Sequence, residues 1–342
     1  MKEINMGSID AFIIGLWMAL LLVEDLLESI VEKGPILGAR FCEARYFEER
    51  INSINVENGV AKALSSGILR GIGVRVFKNR GLGVAYTQSL DEKDIEEIVK
   101  KAVKYARAAQ PDPYFKGIPG PSKAQIVLGL CDKEIVDLSL EDARESLRGM
   151  IEACEDTRRG GMYRGEFHAS YTMLRLMAST EVNIEDEKTI ASVYIRPVYR
   201  KGDDVGGSYE FDYSTRLFGI NPYWIGRKAA EKAIEQFGSR KIKSGVLPLI
   251  LLPEVSSTLF MSLLSALSGE RAVKGRTFAS NLIGKQISPE DLEIIDDGTI
   301  PGAVASSAYD GEGVPKRPVK VIEDGVVLTF LHNSYSAGDH EC

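Results

Sequence analysis

The chain has 342 residues, 44% of them hydrophobic, and carries 42 Lys and Arg against 49 Asp and Glu for a formal net charge of -7. That length and apolar content suffice for two or three packed domains. With a pI near 5.3 and basic residues scattered among acidic ones, the electrostatic footprint of a nucleic-acid binder is absent. Cys42, Cys131, Cys154 and Cys342 show no CxxC spacing, which argues against a disulfide framework or zinc knuckle and fits a reducing cytoplasm.

The apolar run from Ala11 to Val23 is shorter than the roughly 20 residues that span a bilayer, so no membrane segment is expected. The leading residues offer one Lys against Glu3 and Asp10, and no small-residue cleavage site follows the run, which argues against a signal peptide. From Val23 to Lys33, Leu26, Leu27, Ile30 and Val31 recur at helical spacing until Gly34 and Pro35 end the helix. A β-meander follows. Alternating runs start at Phe41 and Ile51, Asn58-Gly59 supplies a hairpin signal, and Lys78-Asn79-Arg80 joins strands beginning at Gly71 and Gly81.

Ser89 and Glu92 have capping-box spacing ahead of a helix from about Asp91 to Ala109. The Gly/Pro-rich stretch to Pro121 then marks a domain boundary. The second segment holds a helix from about Leu140 to Glu155, strands over residues 167–179 and 191–201, a turn at Gly206-Gly207 before another short strand, and a helix from Pro222 to Phe237. In the third, a β-type run from Leu247 to Leu252 feeds a helix capped by Ser256 or Ser257, which looks buried and stops at Gly269. A hairpin over residues 319–333 turns at Asp324-Gly325. The fold class is α+β and multidomain: an N-terminal β-meander with flanking helices, a mixed strand/helix domain, and a largely β C-terminal domain. The boundaries fall at residues 1–17 (an extension), 18–117, 118–240 and 241–342.

The Leu267-Ser-Gly-Glu270 ending of the third-domain helix, the following residues 274–298, and AYDGEGVP at 308–315 resemble the TldD/PmbA family, once called modulators of DNA gyrase and treated as metallopeptidases. The Glu43-x-Arg45-Tyr46 strand, a polar hairpin and GIGVRV from Gly71 are similar to the start of that family's first domain, and the likeness reaches back to about Leu20. In the TldD branch the helix carries HExxxH, whose imidazoles hold zinc while the Glu acts on metal-bound water. Laid on LSGE, the pattern puts Phe260 and Ser265 at the His positions and Met261 at the Glu position. None of these three supplies zinc ligation or a base. The resemblance therefore implies the PmbA/TldE branch, with no metal or cofactor in this chain and zinc in a TldD-like partner. By the same resemblance the pair forms a cytoplasmic heterodimer acting on peptides or unfolded proteins. Further strands are expected beyond the unusual Asp339-His-Glu-Cys342 ending, so that the third domain is short at its C-terminus. The alternative is a non-enzymatic homodimer that binds peptide or protein.

Other constellations weigh toward structural roles. His168, His332 and His340 lie in no paired motif. Asp296, Asp297, Asp310 and Glu312 could hold a hard cation, but Asp-Gly pairs form turns, and turns are favoured. Gly71, Gly73, Gly81 and Gly83 lack phosphate-loop spacing.

Overall fold

The computed structural model describes residues 6–58 and 60–337, with side chains from Leu21 onward, Tyr335 excepted. Gly59, His340 and Cys342 lie outside the described residues. The first helix, α1 (Met6–Ile36), crosses the boundary drawn at residue 18 and carries Pro35 in its last turn. No helix among the described residues is long and apolar enough to cross a membrane.

The runs expected from Phe41 and Ile51 merge into one long strand, β1 (Phe41–Glu57), and the one expected from Gly71 is the end of a second, β2 (Val60–Lys78), followed by β3 (Gly81–Thr87). Asn58 at φ 52°, and Asn79 and Arg80 at 51° and 65°, provide the left-handed turns that match strand twist. Helix α2 (Glu92–Ala108) buries Ile95, Ile98, Val99, Ala102, Val103 and Ala106 on one stripe. Its cap differs from expectation: Asp91 occupies the N-cap without a side-chain bond, while the Ser89 hydroxyl accepts from the Asp91 amide at 3.1 Å. Ser89 lies two residues too early. The capping box forms instead at Ser139 and Asp142, opening α4 (Leu140–Thr157) after the short α3 (Lys133–Val136).

Strands β4 (Met162–Ala178) and β5 (Asn183–Lys201) continue the sheet, and the edge is split between β6 (Asp204–Gly207) and β7 (Glu210–Ser214). Gly206 and Gly207 thus sit inside β6 rather than in a turn. The chain reverses at Gly202, whose φ of 62° only glycine adopts readily. The order is β3-β2-β1-β4-β5-β6, with β7 also on β5, all antiparallel. Because β1 pairs with β4, one sheet crosses the boundary near Pro121.

All the large helices of this part lie on one face of the sheet. At one end α1 and α2 cover Ala44, Val74, Val76 and Met173; at the other, α4 and α5 (Pro222–Glu235) cover Phe167, Val193 and Ile195. Gly81 and Gly83 let β3 lie against α2, where an added Cβ would sit 2.3 Å from the Ala106 oxygen and 2.0 Å from that of Ala102.

The third part holds α6 (Pro253–Ala266), α7 (Gly269–Val273), strands β8 (Ile294–Asp296), β9 (Val319–Glu323) and β10 (Val326–Val327), and α8 (Ser334–Ala337). The hairpin turns at Asp324-Gly325, both with positive φ, as expected. Residues 247–252 form no strand: the run is exposed, Pro248 has no amide to donate, and no described strand lies beside it.

Candidate functional site

Pro253 occupies the first turn of α6, where its missing N–H costs nothing, and Leu252 rather than Ser256 or Ser257 is the N-cap. The serine hydroxyls bond back into the helix, Ser256 to the Leu252 carbonyl at 2.8 Å and Ser257 to that of Glu254 at 2.9 Å. The helix is not buried as expected. Ala266 is its one buried residue, while Phe260 is 37% and Met261 66% exposed. Ser265 is exposed too.

The helix is anchored at its C-terminal end, where Leu263 and Leu264 pack partly buried beside the LSGE corner. Leu267 joins Val321, Ile322, Val327 and Phe330 in a small core, the Gly269 amide donates to the Leu331 carbonyl at 2.8 Å, and the Leu331 amide donates to Leu267 at 3.0 Å. An added Cβ on Gly269 would lie 2.2 Å from His332 Nδ1. His332 in turn faces the Ser336 hydroxyl at 3.2 Å. The imidazole belongs to this corner and not to a ligand set.

The three positions that the family motif would occupy offer an aromatic ring, a thioether and a hydroxyl. That donor set does not fit zinc. Among the described residues no group of three or more His, Cys, Asp or Glu is placed to hold a metal ion.

The acidic loops are built as turns. Asp297 Oδ1 accepts from the Thr299 amide at 2.8 Å and its hydroxyl at 2.6 Å, which holds the carboxyl below its usual range. Asp310 Oδ1 accepts from the amides of Glu312 and Val314 at 2.8 and 2.9 Å. Glu312 accepts from the Ser334 amide at 2.7 Å and lies 3.7 Å from Arg75.

This second loop does something the sequence did not announce. It crosses the helix-free face of the sheet, with Gly313 packed on Leu176, Val182 and Ile184. Arg45 donates to the Gly311 carbonyl, and Arg75 grips the buried Glu43 with two nitrogens, one at 2.9 Å. A cavity of about 250 Å³ remains between Arg45, Arg75, Val84 and Gly311. Burial, then the neighbouring Arg75, lowers the Arg45 guanidinium below its ordinary value. With the carboxylates already engaged by amides or guanidinium, the cluster clamps the third part to the first.

Cys42 and Cys154 are buried in the core. Burial, followed by Glu43, pushes the Cys42 thiol up to about 12, and burial pushes Cys154 up to about 12.

Two parts that share one seven-stranded antiparallel sheet, and a third that carries an LSGE-cornered helix beside its own three-stranded sheet, make up a multi-part α+β architecture. The chain matches the PmbA/TldA metallopeptidase domain 1 over residues 42–106, the central domain over 133–237, and the C-terminal domain over 244–341. It belongs to the PmbA/TldD family. An uncharacterized protein of Methanocaldococcus jannaschii is 30% identical over 316 residues, 90% of this chain and 70% of its own length. The metalloprotease PmbA homolog of Buchnera aphidicola is 26% identical over 83% of this chain and 65% of its own. The crystal structure of TldE from Thermococcus kodakarensis superposes with a TM-score of 0.85 at 25% identity, covering 92% of this chain and 71% of that one. The chain thus spans about two thirds of the length of such relatives.

Proposed function

We propose that this chain is a PmbA/TldE-like subunit that binds no metal and works with a zinc-bearing TldD-like subunit in cleaving peptides or unfolded proteins. The observation that carries it is the substitution of Phe260, Met261 and Ser265 at the positions of the family's metal motif on α6. A helix face of this chemistry neither holds a cation nor activates water. The subunit's contribution is surface: walls along the substrate path and support for the partner's site. Likeness to a TldE structure and to relatives named PmbA metalloproteases supports the assignment. A reducing, cytoplasmic setting suits the buried thiols.

Co-expression with a TldD-like subunit tests this directly. The two are expected to co-elute, and peptide hydrolysis is expected to drop when this chain is omitted. Zinc in the purified chain alone is expected to be far below one ion per chain. Stoichiometric zinc together with unaided hydrolysis, or hydrolysis by the TldD-like subunit indifferent to this chain, sinks the proposal.

A further inference from the structure

Cations that are scattered along the sequence are gathered in one place by the fold. Arg40 precedes β1, Lys78 and Arg80 belong to the β2–β3 turn, and Lys104 and Arg107 lie in the last turns of α2. All five line two adjoining hollows of about 490 and 380 Å³ on either side of the Leu37-Gly38 turn. None of them has a carboxylate partner among the described residues, whereas their neighbours Lys33 and Lys100 both pair with Glu96. The contacts they do make are to neutral groups. Arg107 donates to the Leu37 carbonyl at 3.0 Å, Arg80 to that of Pro113 at 3.3 Å, and the Arg40 guanidinium lies 5.2 Å from the centre of the Phe41 ring.

Gly38 sets the geometry of the notch. With φ at 90° it takes a conformation that only glycine adopts readily, and a Cβ there would lie 2.5 Å from Lys78 Nζ and 3.9 Å from an Arg107 nitrogen. An ammonium from β2 and a guanidinium from α2 thus face one point with no counter-charge between them. Helices α1 and α2 both end here, but the carbonyls of a helix C-terminus amount to only about half a negative charge each, which five cations exceed. On a protein of net charge -7, a cleft lined by a single positive sign is where anions concentrate.

We propose that this notch binds a di- or triphosphate. Guanidinium forks and an ammonium match phosphoryl oxygens, and a short chain of phosphoryl groups packs several negative charges into one small ligand, as five unpaired cations demand. The 380 Å³ hollow beyond Gly38 is floored by Leu37, Val103 and Ala108, an apolar shelf suited to a nucleoside carried by those phosphates. The inference stands apart from the proposed catalytic partnership, because it uses neither α6 nor a TldD-like subunit.

Isothermal titration calorimetry of the full-length protein at low salt, with sodium tripolyphosphate and with ATP as probes, is expected to show one saturable site that weakens as salt rises. Lys78→Gln and Arg107→Gln are each expected to weaken binding roughly tenfold or more, with wild-type circular dichroism and melting. Lys101→Gln, which removes a cation paired with Glu97 on the same helix, is expected to leave binding unchanged. ATP held roughly tenfold more tightly than tripolyphosphate identifies a nucleotide as the ligand; equal affinities identify the bare phosphate chain. No saturable binding of either probe below about 1 mM, an affinity indifferent to both substitutions, or hexaglutamate bound as tightly as tripolyphosphate overturns the inference. Any of these results leaves co-elution with a TldD-like subunit and peptide hydrolysis untouched, so the two proposals fail separately.

Discussion

Gly83 has no room for a methyl group: an added Cβ would lie 2.0 Å from the Ala102 carbonyl oxygen on α2, whereas at Gly73, on the neighbouring strand, nothing stands within 4 Å. Gly83→Ala is therefore expected to lower unfolding free energy by about 2 kcal/mol, and Gly73→Ala to change it by less than ~0.5 kcal/mol, measured by urea denaturation. The buried thiols make a second residue-scale prediction. Cys42 and Cys154 stay protonated in the fold up to about pH 12, while in the unfolded state a thiol ionises near 8.5. Above that pH the unfolded state binds fewer protons, so stability is fully present below it and falls as pH rises toward 12. A decline of up to ~1.4 kcal/mol per pH unit for each thiol is expected between pH 9 and 10.5. A flat profile across that window would contradict the burial.

At the scale of elements, α4 begins at a capping box in which the Ser139 hydroxyl accepts from the Asp142 amide at 3.2 Å and Asp142 accepts from Ser139. Ser139→Ala is expected to cost about 1 kcal/mol, and Ser139→Asp to recover most of it, by the same denaturation measurement. Elements with strong periodicity were legible from sequence: α2, α4, α5, the two Asn turns and the last hairpin lie where apolar spacing and turn chemistry put them. What escaped was set by partners distant in sequence. Counting back from the Asn58-Gly59 turn pairs Glu43 with Val74, and only the irregularity at Asn55/Val56 brings Glu43 opposite Arg75. That one-residue slip moves side chains to the other face, which is why the clamp on the Asp310 loop could not be read beforehand. The apolar run at 247–252 misled for a related reason, since strand-like composition does not supply a strand to pair with. The exposure of α6, which had looked buried, was likewise set by what does not pack against it.

For the whole molecule, Arg75 is one of the residues that tie the third part to the first, 3.7 Å from Glu312. Arg75→Met strands the buried Glu43 carboxylate and is expected to cost about 3 kcal/mol. Hydrogen exchange should accelerate over residues 310–314 in that variant while the amides of α2 stay slow, because the loop loses its anchor and α2 does not. A different consequence comes from the pairing of β1 with β4, in which Glu43 meets Ala178. A ribosome adding about 5–20 residues per second needs on the order of ten seconds to supply β4 once β1 has emerged. Throughout that interval the newborn hairpin offers the β1 flank to whatever surrounds it, β3 having followed β2 within a few residues, so vectorial synthesis, more than the finished protein, is where this architecture calls for chaperone protection.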